Sequence, residues 1–248
     1  LESYFNSQQD KYSFVELNRR HGNVLLPKIE LIDAKEKHRK KEMKGHFSDR
    51  LIHLIQEALN QKEQVILFQN RRGFSPVVEC TTCGTSPQCP NCDVSLTYHK
   101  FKHELKCHYC NYQRAMPNNC DACGSNSIDH KGVGTEQIEI ELKELFPNYT
   151  IGRMDLDTTR GKHGYQKIIG AFEAREIDVL VGTQMLSKGL DFNNVSLVGV
   201  INADSMLNFP DFRAHERAYQ MMVQVSGRAG RNKKQGNVAI QTFNPYHQ

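Results

Sequence analysis

The sequence predicts an α/β fold, in which a parallel sheet is covered by helices on both faces and interrupted by a cysteine-rich insert. Two observations predict it. Apolar runs of strand length alternate with amphipathic segments of helical length on both sides of residues 73–131, and this alternation is typical of parallel sheets with helical crossovers. All eight cysteines lie within residues 73–131, in four Cys-x-x-Cys pairs.

Residues 1–45 are expected to precede the main domain. Residues 12–17 and 29–32 alternate polar and apolar side chains, which predicts two strands. The basic run 35–42 that follows has no apolar periodicity and predicts a solvated linker. A contact between this run and nucleic acid is the alternative interpretation.

The main domain is predicted to begin with a helix and a buried strand. Ser48 and Asp49 form a helix-capping signal, and the apolar residues after them recur on one helical face. Residues 64–69 then read as a buried strand. We assign residues 46–72 and 132–248 to the main domain and residues 73–131 to the insert.

The four Cys-x-x-Cys pairs predict two zinc sites. Four thiolates bind Zn²⁺ tetrahedrally and close the site, so eight cysteines suit two structural ions rather than a catalytic one. A redox-active pair, the alternative, leaves six cysteines unexplained. The spacing favours a nested pairing, although the sequential and interleaved pairings remain open. The nested pairing places Cys89, Cys92, Cys107 and Cys110 on one ion and Cys80, Cys83, Cys120 and Cys123 on the other.

After the insert the alternation of strands and helices resumes. Ligands of parallel sheets bind beyond the carboxyl ends of the strands, so residues 183–191, which directly follow a predicted strand, are expected to lie at a site. The predicted strands are residues 150–154, 178–182, 195–202 and 236–243, and the predicted helices begin at Gly134 and cover residues 163–175 and 212–225.

Length, charge and hydropathy favour a globular protein and argue against a membrane-spanning one. A chain of 248 residues can bury a core, and its formal charge of +4 is compatible with nucleic acid without deciding for it. The longest apolar runs, residues 65–68 and 198–201, are far too short to span a membrane. Without a secretion signal, the cysteine pattern predicts a reducing compartment, the cytoplasm. The chain opens within an apparently structured segment, so we expect a fragment of a longer protein.

Two short motifs predict phosphate chemistry. Arg228 and Arg231 are three residues apart with small residues between them, and planar guanidiniums are suited to meet the charge of a phosphoryl group. The pattern Gln-x-x-Gly-Arg-x-Gly-Arg over residues 224–231 resembles the sixth motif of superfamily 2 helicases. Residues 182–192 resemble their fifth motif.

A second helicase lobe interrupted by four Cys-x-x-Cys pairs resembles the bacterial replication-restart helicases of superfamily 2. This resemblance implies a RecA-like parallel-sheet lobe with an inserted two-zinc module. It also implies, for the whole protein, an ATP-dependent 3′ to 5′ DNA helicase that acts at stalled forks with primosome proteins and single-strand-binding protein. The further stretches that carry the resemblance are residues 1–4, 70–75, 132–136, 153–157 and 203–214.

The resemblance also implies roles for individual residues. Arg228 and Arg231 would approach the γ-phosphate, and Gln224 would assist them there. Gly189 and Asp191 would lie at the nucleotide cleft, and Thr183 and Gln184 would contact the DNA backbone. For Asp191 and Thr183, the alternative role is helix and turn capping.

The chain has neither a G-x-x-x-x-G-K-[ST] phosphate loop nor a D-E-x-H box. We therefore expect ATP and Mg²⁺ to bind only together with a first lobe, and the isolated chain to be inactive. Two alternatives remain open: a zinc-ribbon module that binds DNA or protein without nucleotide, and an RNA helicase lobe.

Overall fold

The fold is described from a computed structural model of the chain. Its described part comprises residues 2–16, 25–69, 78–99, 102–129, 134–159, 161, 163–187, 192–230 and 235–246. The helices are α1 (Glu2–Gln8), α2 (Ala34–Arg39), α3 (Asp49–Asn60), α4 (Thr135–Leu145), α5 (Gly164–Glu173), α6 (Asp204–Leu207), α7 (Ala214–Ser226) and one 3₁₀ helix (Gln184–Ser187). The strands are β1 (Lys28–Asp33), β2 (Met43–Lys44), β3 (Phe47–Ser48), β4 (Gln64–Phe68), β5 (Glu79–Cys80), β6 (Thr97–His99), β7 (Glu104–Lys106), β8 (Gln113–Ala115), β9 (Ile128–Asp129), β10 (Ile151–Met154), β11 (Val179–Gly182), β12 (Val195–Val200) and β13 (Asn237–Thr242).

A six-stranded parallel sheet forms the centre of the main domain. Its strand order is β1-β13-β12-β4-β11-β10. Side chains alternate between the two faces of the sheet, so the strands from β13 to β10 contribute to two hydrophobic cores, whereas the edge strand β1 contributes only Ile32 to one of them. Helices α3 and α4 cover one face through Leu51, Ile55, Ile138 and Leu142, and α5, α6 and α7 cover the other through Phe172, Met206, Ala218 and Val225. The predicted α/β fold class is confirmed.

Local signals predicted most elements of the main domain. Ser48 caps α3 by accepting a hydrogen bond from the Leu51 N–H at 3.2 Å. β4 is buried at all five positions, as its unbroken apolar run indicates. The strands after residue 134 and helices α4, α5 and α7 lie within three residues of their predicted bounds, whereas α6 and the 3₁₀ helix were not predicted. No helix in the described part of the chain is both long enough and apolar enough to cross a bilayer.

The structure differs from the expected division at residue 45. β1 is an edge strand of the main sheet and pairs with β13 over its whole length. The basic run is helix α2 rather than a linker, because its charges have partners: Lys37 Nζ lies 2.7 Å from Glu42 and 2.8 Å from Asp49. Residues 13–16 form no strand and are exposed. Residues 28–45 therefore belong to the main domain.

In its described residues, the insert forms two small antiparallel sheets. β5 pairs with β9 at its base, and β6, β7 and β8 form the outer sheet. It is seated at the edge where the parallel strands end, because Gly84 packs against Phe243, the residue after β13. The Asn208 amide donates to the Gly84 carbonyl oxygen at 3.5 Å.

Candidate metal centres and helicase motifs

The base of the insert brings one set of four cysteines together. Their ligand atoms all lie within 4.8 Å of one another, with Sγ–Sγ distances of 3.7 Å for Cys80–Cys123 and 3.6 Å for Cys83–Cys120. A tetrahedron with Zn–S bonds of ~2.3 Å has edges of about 3.8 Å. The donor set therefore fits a closed Zn²⁺ site.

The outer sheet holds the second set. Cys89, Cys92, Cys107 and Cys110 also lie within 4.8 Å of one another, and Cys89 and Cys110 are 3.5 Å apart. The backbone N–H of Tyr112 lowers the pKa of Cys110 to about 6, whereas burial raises the pKa of Cys89 and raises the pKa of Cys92 to about 12. Zinc binds the thiolate, so an ion bound here would displace protons from these thiols. The two clusters suit two Zn²⁺ ions, and the nested pairing is confirmed.

The base cluster is built from two Cys-x-x-Cys-Gly turns of the same geometry. The Gly84 N–H donates to the Cys80 carbonyl at 2.8 Å, and the Gly124 N–H donates to the Cys120 carbonyl at 2.9 Å. Both glycines have positive φ, +73° and +72°, a conformation that glycine adopts without strain. These turns aim two thiols each at one centre.

The fifth motif begins where β11 ends. Thr183 is half-buried, and its N–H donates to the Met154 carbonyl at 3.3 Å, which fixes it beside the end of β10. The 3₁₀ helix follows, with Leu186 fully buried beneath it. Thr183 and Gln184 thus lie at the strand-end edge of the sheet. Gly189 and Asp191 lie outside the described residues.

The sixth motif lies at the opposite edge. Helix α7 ends at Ser226, and the Gly230 N–H then donates to the carbonyl of Val195, the first residue of β12, at 3.0 Å. Gln224 is exposed and Arg228 is half-buried, while Arg231 lies outside the described residues. Since parallel strands start at a common edge, Arg228 lies about one strand length, ~15 Å, from Thr183. Motif order in the sequence gave no indication of this separation.

One core joins the two motifs. Leu186 from the 3₁₀ helix, Val225 from α7 and Ala229 from the sixth motif are buried in the same hydrophobic cluster. Helix α7 also contacts the 3₁₀ helix directly. The two motifs are therefore packed against one another through a single close-packed interior.

A polar cluster beside Thr183 has no role predicted from sequence. Thr135 Oγ1 donates to Asp155 Oδ2 at 2.6 Å, and Arg153 Nε lies 3.4 Å from the same carboxylate. Burial opposes ionisation of Asp155, but the hydrogen bonds from Thr135 and from the backbone N–H of Thr158, with the Arg153 charge, lower its pKa overall. The stretches 132–136 and 153–157 carried the family resemblance without indicating this contact.

Two family models match the chain, one at the outer cysteine cluster and one over both helicase motifs. Residues 89–114 match the model of the PriA DNA helicase Cys-rich region domain. Residues 125–233 match the model of the helicase conserved C-terminal domain. The first match contains the outer cysteine cluster, and the second contains both motifs.

Relatives match along the whole chain. The chain is 44% identical to Replication restart protein PriA of Bacillus subtilis over 247 residues, which is 100% of this chain and 31% of the relative. It is 42% identical to the Haemophilus influenzae protein of the same name, covering 100% of this chain and 33% of that protein. Among solved structures, S. cerevisiae Dbp5 bound to RNA and ADP BeF3 matches at 14% identity and a TM-score of 0.45, over 97% of this chain and 41% of that one. The chain spans about a third of the length of these PriA relatives. It belongs to the PriA replication restart protein family, and it comprises the Cys-rich region and the C-terminal helicase lobe of that family.

Proposed function

We propose that this chain is the second lobe of an ATP-dependent 3′ to 5′ DNA helicase that acts at stalled forks in replication restart. The observation that carries the proposal is the packing of the fifth and sixth motifs into one core, at opposite edges of one sheet. A lobe of this kind can sense nucleotide at one edge and a DNA strand at the other. The upstream lobe precedes residue 28 in this proposal, because β1 belongs to the present sheet.

The strand-start edge is the proposed nucleotide edge. Arg228 and Arg231 approach the γ-phosphate of ATP held by the first lobe, and an arginine in this role contributes on the order of 10³ to 10⁵ in rate. Gln224, which is exposed near the end of α7, assists by hydrogen bonding, and Gly189 and Asp191 line the same cleft. ATP and Mg²⁺ bind only when the first lobe is present.

The strand-end edge is the proposed DNA edge. Thr183 and Gln184 contact the DNA backbone there, next to the Thr135–Asp155 hydrogen bond. Nucleotide-driven closure of the two lobes then shifts this edge along one strand. The two cysteine clusters would hold Zn²⁺ ions that fold the insert and take no part in hydrolysis, because four thiolates leave no open position on the metal.

The proposed setting is the bacterial cytoplasm, with primosome proteins and single-strand-binding protein as partners. The direct test is unwinding of a labelled DNA fork by a longer protein that includes the first lobe. We expect unwinding that depends on ATP and on a 3′ single-stranded arm. The isolated chain should hydrolyse ATP no faster than background.

Two outcomes would contradict the proposal. Preference for a forked RNA of the same sequence would indicate an RNA helicase. DNA binding that chelation abolishes, together with no ATP-dependent unwinding, would indicate a zinc-ribbon interaction module.

A further inference from the structure

The insert and the main domain meet through two aromatic rings. Tyr109 lies in the outer cysteine turn between Cys107 and Cys110, and Phe212 lies in the turn before α7. Their ring centroids are 6.4 Å apart with an interplanar angle of 87°. The Phe212 N–H also donates to the Tyr109 hydroxyl at 3.4 Å. The two rings are thus held in a fixed relation by different parts of the fold.

Both rings remain open to solvent in spite of this contact. Tyr109 is 52% exposed and Phe212 is 75% exposed, and Phe209 beside them is 43% exposed. The backbone beneath Phe212 is fixed, since the carboxylate and the carbonyl of Asp211 accept hydrogen bonds from the next turn. Holding a phenylalanine rigidly in water forgoes most of the gain from its burial. A ligand that covers these rings would recover the gain from their burial.

The aromatic pair lies at the proposed DNA edge. Phe212 follows β12 and α6 and precedes α7, so it lies at the strand-end edge, as Thr183 does. Helix α7 contacts the 3₁₀ helix that follows Thr183. A DNA strand bound at Thr183 would therefore lie at the same edge of the sheet as Phe212.

Charge does not favour phosphate binding by the insert. Residues 73–131 contain five basic and five acidic side chains, and four thiolates on a divalent ion carry a formal charge of −2 at each zinc site. The arginines next to Phe212 are paired: Arg213 lies 2.9 Å from Glu216, and Arg217 pairs with Asp211. This surface can therefore contact a nucleic acid through the faces of its aromatic rings rather than through charge.

We propose that Tyr109 and Phe212 form a stacking platform for unpaired bases of single-stranded DNA. The proposal rests on the proposed function and adds to it a base-binding site shared by the insert and the helicase lobe. Aromatic stacking tolerates any base, since every base has a π-face. The platform holds the strand through its bases, while Thr183 and Gln184 hold it through its backbone.

The chain contains no tryptophan, which allows a direct optical test. Tyr109→Trp in the zinc-loaded chain places one indole on the platform, and Phe212→Trp provides a second reporter. Ile140→Trp is the control, because Ile140 is 48% exposed on α4, which covers the opposite face of the sheet from α7. We expect an oligothymidylate of about 20 nucleotides to quench the platform indoles and to leave the control unchanged. An abasic oligonucleotide of the same length should quench none.

Affinity provides the second readout. Tyr109→Ala and Phe212→Ala should each weaken oligothymidylate binding by about 5- to 100-fold, and Ile140→Ala should not. The factor should be the same at about 50 and about 200 mM salt, because no phosphate contact is removed. Zinc content of two ions per chain confirms that each variant has retained the insert.

Several results would overturn the platform. The first is that the unmutated chain does not bind oligothymidylate. The second is that the alanine variants retain zinc and bind oligothymidylate with unchanged affinity. The third is that the fold-loss of affinity in these variants becomes smaller as the salt concentration rises. Shielding of the platform indole from iodide in the DNA-free longer protein would identify a protein interface instead. If the platform tests fail but forked DNA still stimulates ATP hydrolysis, the proposed function stands and only the platform is refuted. If oligothymidylate binding and fork-stimulated ATP hydrolysis are both absent, the platform and the proposed function are refuted together.

Discussion

The substitution Gly84→Ala tests how the insert is anchored to the helicase lobe. Gly84 and Gly124 occupy equivalent positions in the two turns of the base cluster, with φ of +73° and +72°. A Cβ added at Gly84 would lie 2.5 Å from Cγ and 2.9 Å from Cδ2 of Phe243, whereas a Cβ added at Gly124 meets nothing within 4 Å. Gly124→Ala is therefore a matched control.

The difference between the two variants isolates the contact with Phe243. Both place alanine in the left-handed region, which costs roughly 1–2 kcal/mol. Only Gly84→Ala also overpacks a contact, which costs typically about 1–3 kcal/mol more. We expect the free energy of unfolding to fall by about 2–5 kcal/mol for Gly84→Ala and by about 1–2 kcal/mol for Gly124→Ala.

Urea unfolding of the zinc-loaded chain, followed by far-UV circular dichroism, measures both changes. Zinc content is determined for each variant, so that a lost ion is not mistaken for a lost contact. Phe243→Ala should recover part of the deficit of Gly84→Ala, because it removes the atoms in the way. Equal destabilisation by the two glycine variants, with no coupling between Gly84→Ala and Phe243→Ala, would refute the anchoring contact.

Three further predictions concern the clusters and the core. Cys89→Ser and Cys120→Ser should each reduce bound zinc from two ions to one after dialysis, because they belong to different clusters; loss of both ions from either variant would contradict two separate sites. Gln241→Ala should lower the free energy of unfolding by about 3 kcal/mol or more, because it leaves one backbone N–H and two carbonyl groups unpaired in the core; a change below about 1 kcal/mol in urea unfolding would contradict this. The pKa of Asp155 is lowered in the folded state, so its stabilisation is present above the unfolded pKa and is lost as the pH falls through the folded pKa. Asp155→Asn should therefore flatten the acid side of the stability profile, and an unchanged profile in urea unfolding at a series of pH values would exclude that contribution.

The zinc clusters show what local sequence patterns can predict. Each Cys-x-x-Cys turn is a local structure, and closing an insert between two neighbouring parts of a sheet domain favours nesting its ends. The spacing therefore favoured the pairing that the sulfur positions confirm. The strands after residue 134 and helices α4, α5 and α7 were equally predictable from the sequence, because their apolar periodicity is local.

The N-terminal region shows where local patterns fail. β1 pairs with β13, more than 200 residues away in the sequence, and no local pattern records such a partner. Helix α2 buries only Ala34 and is held by ion pairs, so it lacks the apolar stripe that would have predicted it. A basic run is indistinguishable from a linker when its acidic partners lie partly outside it.

The sequence also did not predict at which edges of the sheet the two motifs lie. Topology alone puts Thr183 at the end of β11 and Arg228 beside the start of β12. The roles of Gln224, Thr183 and Gln184 remain predictions, as do those of Gly189, Asp191 and Arg231, which lie outside the described residues.

The measurement that tests the account most directly is DNA-stimulated ATP hydrolysis by a longer protein that includes the first lobe. Arg228→Lys keeps the charge but removes the planar, bidentate donor, and Arg175→Lys, at an exposed position after α5, is the control. The account predicts that Arg228→Lys lowers kcat by on the order of 10³- to 10⁵-fold, with fork affinity and zinc content unchanged. Hydrolysis by Arg228→Lys at the rate of Arg175→Lys would contradict it and would remove the sixth motif from catalysis.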